Sequence, residues 1–175
     1  MRDNKDSAPA RWGLDGLPVV VLSISSLLLD DSPRHGGEND EHIHVLAGSE
    51  EQLPPIVVHG PLMRVIDGRH RVRAVVLRGD DTIDAKVYHG TSDDAFVLAV
   101  RMNITHGLPL TRTERTTAAL RIIGSHPQWS NRMITTATGL SAGTVGKYVS
   151  VRLRTMRSRP PGSAKTVAHG PSTPQ

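Results

Sequence analysis

The residues best suited to chemistry are a group of basic side chains that directly follow an Asp-Gly pair. Residues 67–74 read DGRHRVRA, so a sharp turn leads into a helix carrying Arg69, His70, Arg71 and Arg73. The free N–H groups and positive dipole end of a helix N-terminus bind anions. Arginine side chains add charge-assisted hydrogen bonds to phosphate. The stretch is therefore a candidate phosphate cradle. The alternative is a solvated basic helix whose arginines pair with nearby carboxylates.

A second group lies in residues 129–149, which read WSNRMITTATGLSAGTVGKYV. Ser130 and Ser141 are placed as N-caps of two short helices, and Gly139 supplies the positive φ of a tight turn between them. This spacing predicts a helix-turn-helix. The residues expected to contact DNA are Ser130, Asn131, Arg132, Ser141, Ala142, Thr144, Lys147, Tyr148, Arg152 and Arg154.

The two helices of this motif have different predicted roles. Ser130, Asn131 and Arg132 begin the first helix, which crosses the DNA backbone, so we assign them to phosphates. The second helix offers its N-terminal residues to base edges in the major groove. There Thr144 can touch a base or a thymine methyl, and Lys147 can reach a guanine. The alternative is an ordinary helical hairpin used in packing or in protein contacts.

Charge is distributed unevenly along the 175 residues. Residues 1–100 hold 10 Lys and Arg against 16 Asp and Glu, whereas residues 101–175 hold 11 against a single acid, Glu114. A half with one carboxylate creates an uncompensated positive field, whose commonest partner is a polyphosphate backbone. Double-stranded DNA is therefore the predicted partner. The alternative is a basic tail without function.

Composition excludes several classes of protein. The chain contains no cysteine, which excludes disulfides, thiolate metal sites and cysteine nucleophiles. The apolar run at residues 18–29 is too short to cross a bilayer, and no basic leader precedes it. We therefore expect a cytoplasmic, nucleoid-associated protein without a membrane partner. His42 and His44 alternate with no third ligand beside them, so no metal site is predicted.

Patterning divides the chain into four segments. Residues 1–17 are polar and predicted to be disordered. Residues 18–107 interleave strands and helices and predict an α/β domain. Residues 108–155 are helical and contain the helix-turn-helix, and residues 156–175 form a flexible basic tail rich in Pro, Gly and Ser.

Local signals place several elements within these segments. Residues 19–24 are rich in β-branched residues and predict a buried strand. A helix is expected from residue 69 to residue 78, ended by Gly79. Ser92 is the expected cap of the next helix. Thr111 and Glu114 have the spacing of a capping box that opens a further helix.

Taken together, the motifs are similar to those of the ParB family. SPR at residues 32–34, LPPIVV at 53–58, DGRHRVRA at 67–74 and MNITHGLPLTRTER at 102–115 precede the helix-turn-helix in the family's order. The chain resembles the N-terminal domain of ParB proteins followed by their DNA-binding module. It is most similar to the StrR-like pathway-specific activators of antibiotic biosynthesis. The resemblance implies an α+β or α/β fold of the ParB/sulfiredoxin-like class followed by an all-α helix-turn-helix module.

The resemblance also implies a ligand. ParB proteins bind CTP with magnesium through a G-E-R-R-x-R-A signature, which maps onto residues 68–74 with Arg69 in place of the glutamate. Their E-N-x-Q-R box maps onto residues 102–106, where Met102 replaces the metal-holding glutamate and cannot bind a hard cation. CTP or another nucleotide is the implied cofactor, with no metal and no catalytic residue. The implied contacts are Arg34, Gly68, Arg69, His70, Arg71, Arg73 and Asn103.

These features favour a sequence-specific DNA-binding transcriptional regulator that is not an enzyme. Two alternatives stay open, a CTP-dependent ParB-type clamp or partition protein and a ParB-fold small-molecule (serine) kinase. The sole obvious candidate for the kinase base is Asp67, but Asp before Gly is a common turn dipeptide, which favours a role in shaping the turn. Met102 disfavours the clamp and the helix-turn-helix disfavours the kinase, while residual nucleotide hydrolysis stays open. A homodimer also stays open, since a lone module contacts few base pairs.

Overall fold

The structure, a computed structural model, describes residues 14–33, 40–105 and 109–157. The strands are β1 (Val19–Ser23), β2 (Ile56–His59), β3 (Arg64–Asp67) and β4 (Thr82–Tyr88). The α-helices are α1 (Asp40–Gly48), α2 (Arg69–Arg78), α3 (Ser92–Thr105), α4 (Arg112–Ser125), α5 (Asn131–Thr138) and α6 (Ala142–Arg157). Short 3₁₀ turns cover Ile24–Ser26 and Gly60–Leu62.

The four strands form one mixed sheet in the order β1-β4-β2-β3. β1 pairs with β4 and β2 pairs with β3 in antiparallel fashion, whereas β2 and β4 are parallel. The connection between the two parallel strands runs through β3 and α2, as parallel pairing requires a crossover. The predicted α+β class is confirmed by this sheet and by the helices that surround it.

The sheet is covered by helices on both faces. On one face Ile56 and Val58 of β2 share an apolar cluster with Val72 of α2, and α1 packs on α2. On the other face Val57 shares a cluster with Leu98 of α3. All four residues of β2 are buried, as expected for a strand inside a layered fold.

α3 belongs to two hydrophobic cores at once. Its residues Ala95, Leu98 and Ala99 pack toward the sheet, whereas Phe96 and Val97 join the core built by α4, α5 and α6. The helix that the sequence assigned to segment 18–107 therefore also completes the core of segment 108–155. The two segments share a buried helix, so their relative position depends on how α4 packs on α3.

β1 requires a correction, because it is a strand but not a buried one. Val19, Val20 and Val21 are 49%, 37% and 66% exposed. β1 lies at the edge of the sheet and pairs with β4, away from β2 and β3, whose residues share clusters with α2 and α3. A short apolar run indicates a strand, but burial is set by which elements pack against it.

The predicted ends of the ordered region also need correction. Residues 14–17, expected to be disordered, form a turn in which the Leu17 N–H donates to the Leu14 carbonyl at 3.2 Å. Lys86 Nζ donates to the same carbonyl at 3.1 Å, and the Leu14 side chain packs against the cluster beside α3. At the other end α6 continues two residues into the predicted tail. Residues 158–175 lie outside the described residues.

The helix caps follow the sequence with one exception. α2 covers residues 69–78, and Gly79 ends it with φ 88°, while Thr111 and Glu114 form the expected capping box. The expected cap of α3 at Ser92 is wrong, because Thr91 fills that role. Thr91 Oγ1 accepts from the Asp94 N–H at 3.1 Å and donates to the Asp94 carboxylate at 2.8 Å.

Within the described ranges, no helix combines the length and apolar character that crossing a membrane requires.

Candidate nucleic-acid interface and phosphate cradle

The pair of helices α5 and α6 is joined by residues 139–141. Ser130 caps α5 by accepting from the Met133 N–H at 3.3 Å, and Gly139 ends the helix in the left-handed region with φ 63°. Ser141 caps α6 by accepting from the Thr144 N–H at 3.3 Å. The two caps and the turn glycine are confirmed at the predicted residues.

A shared core fixes α6 on α5. Ile134, Leu140 and Val145 are buried in one cluster, with Trp129 and Val149 partly buried against it. Because these residues occupy the inner sides of both helices, the opposite side of the α6 N-terminus faces solvent. The position of that surface is therefore determined by well-packed apolar contacts.

We define the reading face of α6 as Ala142, Gly143, Thr144 and Lys147. Ala142, Gly143 and Lys147 are exposed and Thr144 is half-buried. A side chain added at Gly143 would meet no atom within 4 Å, so a duplex can approach the backbone closely there. Thr144 Oγ1 lies 2.9 Å from Ser141 Oγ, which orients both hydroxyls.

The other predicted DNA contacts surround the reading face to different degrees. Asn131 and Arg132 are exposed at the start of α5 and Arg154 is exposed on α6, whereas Tyr148 is half-buried against the core. Arg152 is also half-buried, and its guanidinium nitrogens lie 3.2 and 3.3 Å from the position a Cβ would occupy on Gly124. The guanidinium of Arg152 therefore lies beside Gly124 of α4.

Arg115 was given no role from the sequence, yet it supports the turn before α6. Its Nη1 donates to the Gly139 carbonyl at 3.4 Å across from α4. The two residues are 24 positions apart. Spacing gives no signal for this contact, because it depends on how α4 packs on α5.

The residues of the predicted phosphate cradle lie where β3 leads into α2. Gly68 occupies the N-cap of α2 with φ 99°. A Cβ there would lie 2.5 Å from Ile56 Cγ2, so both the backbone conformation and the packing require glycine. The start of α2 consequently lies directly against the buried strand β2.

The guanidinium of Arg71 is hydrogen-bonded to other groups of the protein. Its Nη1 donates to the Pro54 carbonyl at 2.8 Å and to the Pro55 carbonyl at 2.7 Å, and its Nη2 donates to the Asp67 carboxylate. The side chain is 18% exposed. Arg71 therefore fastens residues 54–55 to the start of α2 and its hydrogen-bond donors are largely used there.

The remaining cradle residues differ in exposure. Arg73 is exposed, while Arg69 and His70 are half-buried. The His70 ring meets the His42 ring edge-on, with ring centroids 5.4 Å apart. Asn103 is half-buried and donates through Nδ2 to the Ala99 carbonyl one turn earlier, at 2.8 Å. Arg34 lies outside the described residues.

One residue differs from the ParB pattern in a way that bears on metal binding. Met102 stands where the ParB box has its glutamate, and its side chain packs against the apolar cluster of α3 and the sheet. A thioether in an apolar contact offers no oxygen to a magnesium ion. Among the residues described, no group of three or more His, Cys, Asp and Glu lies close enough to hold a metal.

Comparison with known sequences identifies relatives whose names describe a possible regulatory protein and a transcriptional regulator. The chain is 50% identical over 128 residues to the "Streptomycin biosynthesis operon possible regulatory protein" of Streptomyces griseus, covering 73% of this chain and 37% of that protein. It is 50% identical over 129 residues to the transcriptional regulator NovG of Streptomyces niveus, covering 74% of this chain and 41% of NovG. The chain thus spans about two fifths of the length of these curated relatives. No protein-family model matches it.

Solved structures show the same fold. A C-terminally truncated chromosome-partitioning protein ParB from Caulobacter crescentus, complexed to the centromeric parS site, aligns with a TM-score of 0.53 and 19% identity over 76% of this chain and 71% of that one. The Pnob8-like ParB-N domain aligns with a TM-score of 0.54 and 17% identity over 81% of this chain and 71% of that one. The chain therefore has a ParB-like fold and is similar in sequence to these two Streptomyces regulatory proteins.

Proposed function

We propose that this chain is a sequence-specific DNA-binding transcriptional regulator that inserts the N-terminal part of α6 into the major groove. The observation that carries the proposal is the reading face. Its residues are small or polar, three of the four are exposed, and caps and a buried core hold them in place. A helix that presents such residues at its N-terminus has the geometry that helix-turn-helix proteins use to contact base edges.

The electrostatics of this half of the chain support the same proposal. Glu114 is the only acid in residues 101–175, and it is buried in the capping box with Thr111. Its carboxylate is therefore not available to neutralise Arg132 or Lys147. A surface rich in basic side chains attracts a polyphosphate backbone.

The relatives support a regulatory role. Two curated relatives at 50% identity are named as regulators of transcription or of a biosynthetic operon, and the ParB neighbour was solved with its parS DNA. The aligned residues include most of the described chain. We extend DNA binding to this protein on that basis and on the reading face.

The proposed contacts divide between backbone and bases. Ser130, Asn131 and Arg132 at the start of α5 contact phosphates, while Thr144 and Lys147 contact base edges. The flanking contacts are made by Ser141, Ala142, Tyr148, Arg152 and Arg154.

We further propose that the start of α2 binds a phosphate-containing ligand without a metal and without catalysis. The N–H groups at the start of α2 and the nearby Arg69 and Arg73 suit an anion. Arg71 joins them only if the ligand replaces its contacts to the Pro54 and Pro55 carbonyls. His70, Asn103 and Arg34 complete the proposed set.

The DNA-binding proposal is tested by selecting a preferred duplex from a random pool and measuring its affinity across a salt series. Lys147→Ala should weaken binding to the selected duplex by roughly 5- to 150-fold, as expected for a lost base contact of about 1–3 kcal/mol. Arg132→Ala should lower the slope of log K against log salt by about 0.9, the value for one phosphate contact.

Arg73→Ala provides the matched control, because it removes one exposed positive charge from the distant start of α2. It should leave the preferred sequence and the salt slope unchanged. The proposal is refuted if no duplex is enriched, or if Lys147→Ala, Arg132→Ala and Arg73→Ala have equal effects.

A further inference from the structure

The segment that follows β1 is fastened to the far edge of the sheet. The Leu28 N–H donates to the Met63 carbonyl at 2.8 Å, and the Val65 N–H donates to the Leu28 carbonyl at 2.9 Å. Leu28 thereby forms a parallel bridge with Arg64 of β3. These bonds hold Asp30 and Asp31 at a fixed place on the α/β part of the molecule.

Asp31 occupies an unusual backbone conformation. Its φ is 53°, in the left-handed region that non-glycine residues rarely adopt. Such a conformation persists when the surrounding contacts over-determine it. The contacts here are made by the carboxylate of Asp31, which receives two arginines from different parts of the chain.

The first of these arginines is Arg121 of α4. Its two terminal nitrogens each donate to one oxygen of Asp31, the Nη2–Oδ2 distance being 2.8 Å, across 90 residues of sequence. The second is Arg64 of β3, whose Nη1 lies 3.6 Å from Asp31 Oδ2 while its Nε donates to Asp30 Oδ1 at 2.8 Å. Asp31 therefore links β3 to α4, whereas Asp30 pairs with β3.

Arg121 is also held from its other side. Its guanidinium carbon lies 3.7 Å from the centroid of the Phe96 ring, and Phe96 is 8% exposed in the core shared by α3 and α4. A guanidinium stacked on an aromatic face and paired with a carboxylate has a defined orientation. Hydrophobic burial is itself non-directional, so the ion pair adds a directional contact to the apolar packing between α3 and α4.

A neighbouring contact lies at the end of α4. His126, which ends α4, lies with Nε2 3.3 Å from Asp94 Oδ1 of α3. Its ring is tilted by 49° to the Trp129 ring, with centroids 4.5 Å apart. Trp129 precedes the Ser130 cap of α5. The α/β part thus touches the residues that lead directly into the α5–α6 pair.

The charges of this network are stabilised by their partners. The hydrogen bond from Arg121 holds the pKa of Asp31 below its ordinary value, and that from Arg64 does the same for the pKa of Asp30. The carboxylate of Asp31 raises the pKa of Arg121 in turn. Both partners are therefore charged at neutral pH, and the link is an ion pair.

We propose that Asp31 is a positioning residue that sets the direction of α4, and through α4 the direction of the reading face, relative to the sheet. The consequence for DNA affinity depends on the proposed function, whereas the consequence for geometry does not. Asp31→Asn removes the ion pair that joins β3 to α4 through Asp31, while the apolar residues that α3 contributes to both cores are unchanged.

The geometric test uses spin labels, which the absence of native cysteines makes straightforward. Asp80→Cys places one label at an exposed position just after α2, and Thr136→Cys places the other at an exposed position on α5. Asp31→Asn keeps the size of the side chain and its tolerance of a positive φ but removes the charge. We expect the distance distribution between the labels to broaden in Asp31→Asn.

Asp30→Asn is the matched control, because it removes an equivalent carboxylate that pairs with Arg64 and not with Arg121. It should leave the distance distribution as in the parent. Arg121→Lys, which keeps the charge and loses the paired donors, should broaden the distribution as Asp31→Asn does and provides a second variant if the first folds poorly. Equal, narrow distributions in all variants overturn the proposal.

The functional arm separates this proposal from the DNA-binding proposal. Asp31→Asn should weaken binding to the selected duplex by roughly 3- to 30-fold, the range expected for a residue that modulates coupling without touching the ligand. If the distance distribution broadens in Asp31→Asn but the parent does not bind DNA, the proposed function is refuted and the positioning role of Asp31 stands. Unchanged distances together with parent-like DNA binding refute the positioning role and leave the function.

Discussion

The starts of α2 and α6 are both helix N-termini with basic or polar side chains, and they differ in what surrounds those side chains. At α2 the guanidinium of Arg71 is bonded to the Pro54 and Pro55 carbonyls and to Asp67. At α6 the side chain of Lys147 is exposed. Residue type and spacing indicate what a site can bind, but nearby acceptors decide which donors remain for a ligand.

The reason for the difference lies in the supply of acceptors. Residues 54–55 precede the buried strand β2, and Arg71 satisfies both of their carbonyls from the adjacent helix. Residues 101–175 contain one acid, Glu114, and its carboxylate accepts from the Thr111 backbone N–H and hydroxyl. The first region is stabilised by its arginine, whereas Arg132 and Lys147 in the second are exposed.

The largest expected effect comes from removing the arginine at α2. Arg71→Met should lower the free energy of unfolding by about 3 kcal/mol, because two carbonyls and a carboxylate lose their partner. Arg132→Met on the exposed start of α5 should change it by less than about 0.5 kcal/mol. Urea denaturation of the two variants measures the contrast. Equal losses would remove the distinction between the two regions.

The next largest loss of stability is expected at Gly68, where a side chain would be strained by the backbone conformation and would clash with Ile56. Gly68→Ala combines φ 99° with a Cβ 2.5 Å from Ile56 Cγ2 and should destabilise the protein by about 1–3 kcal/mol. Thermal and urea denaturation both report the loss. A variant as stable as the parent would show that the start of α2 relaxes away from β2.

Gly143→Ala should have the opposite sign. The position is helical and a Cβ meets no atom within 4 Å, so alanine should stabilise the protein by up to about 1 kcal/mol. The same methyl should weaken DNA binding, because it stands on the reading face. Denaturation and duplex affinity measured on one preparation test both parts. Stabilisation with unchanged affinity would contradict a close approach of DNA at this residue.

The smallest effect is expected when the pH is lowered, and it concerns the free energy of unfolding. The pKa values of Asp30 and Asp31 lie below the ordinary 3.8 in the native protein. A depressed native pKa contributes stability above the unfolded value, and the contribution disappears as pH falls through the native pKa. The stability difference between the parent and Asp31→Asn should therefore shrink below about pH 4. Urea midpoints between pH 6 and about pH 3 measure it. A difference that stays constant would show that the Asp31 charge contributes nothing.

Local features of the fold could be predicted from the sequence. The ends of α2, the Thr111–Glu114 capping box and the caps at Ser130 and Ser141 depend on residues within a few positions of one another. Short-range hydrogen bonds of this kind are determined by spacing. The elements of the α5–α6 pair were predicted correctly for the same reason.

Long-range features could not be predicted in this way. The exposure of Val19–Val21 follows from the place of β1 at the sheet edge, and the pairing of Asp31 with Arg121 joins residues 90 positions apart. The hydrogen bonds from Arg71 to the carbonyls of residues 54–55 likewise depend on how α2 packs beside β2. Each requires the tertiary arrangement, which periodicity and spacing do not contain.

The central claim is that duplex DNA binds at the start of α6 and not at the start of α2. The most direct measurement is a titration of the isotope-labelled chain with its selected duplex, followed by backbone amide chemical shifts. We expect the largest changes at residues 141–147 and 130–132, with little change at residues 68–73. Changes confined to residues 68–73, with residues 141–147 unaffected, would contradict the claim.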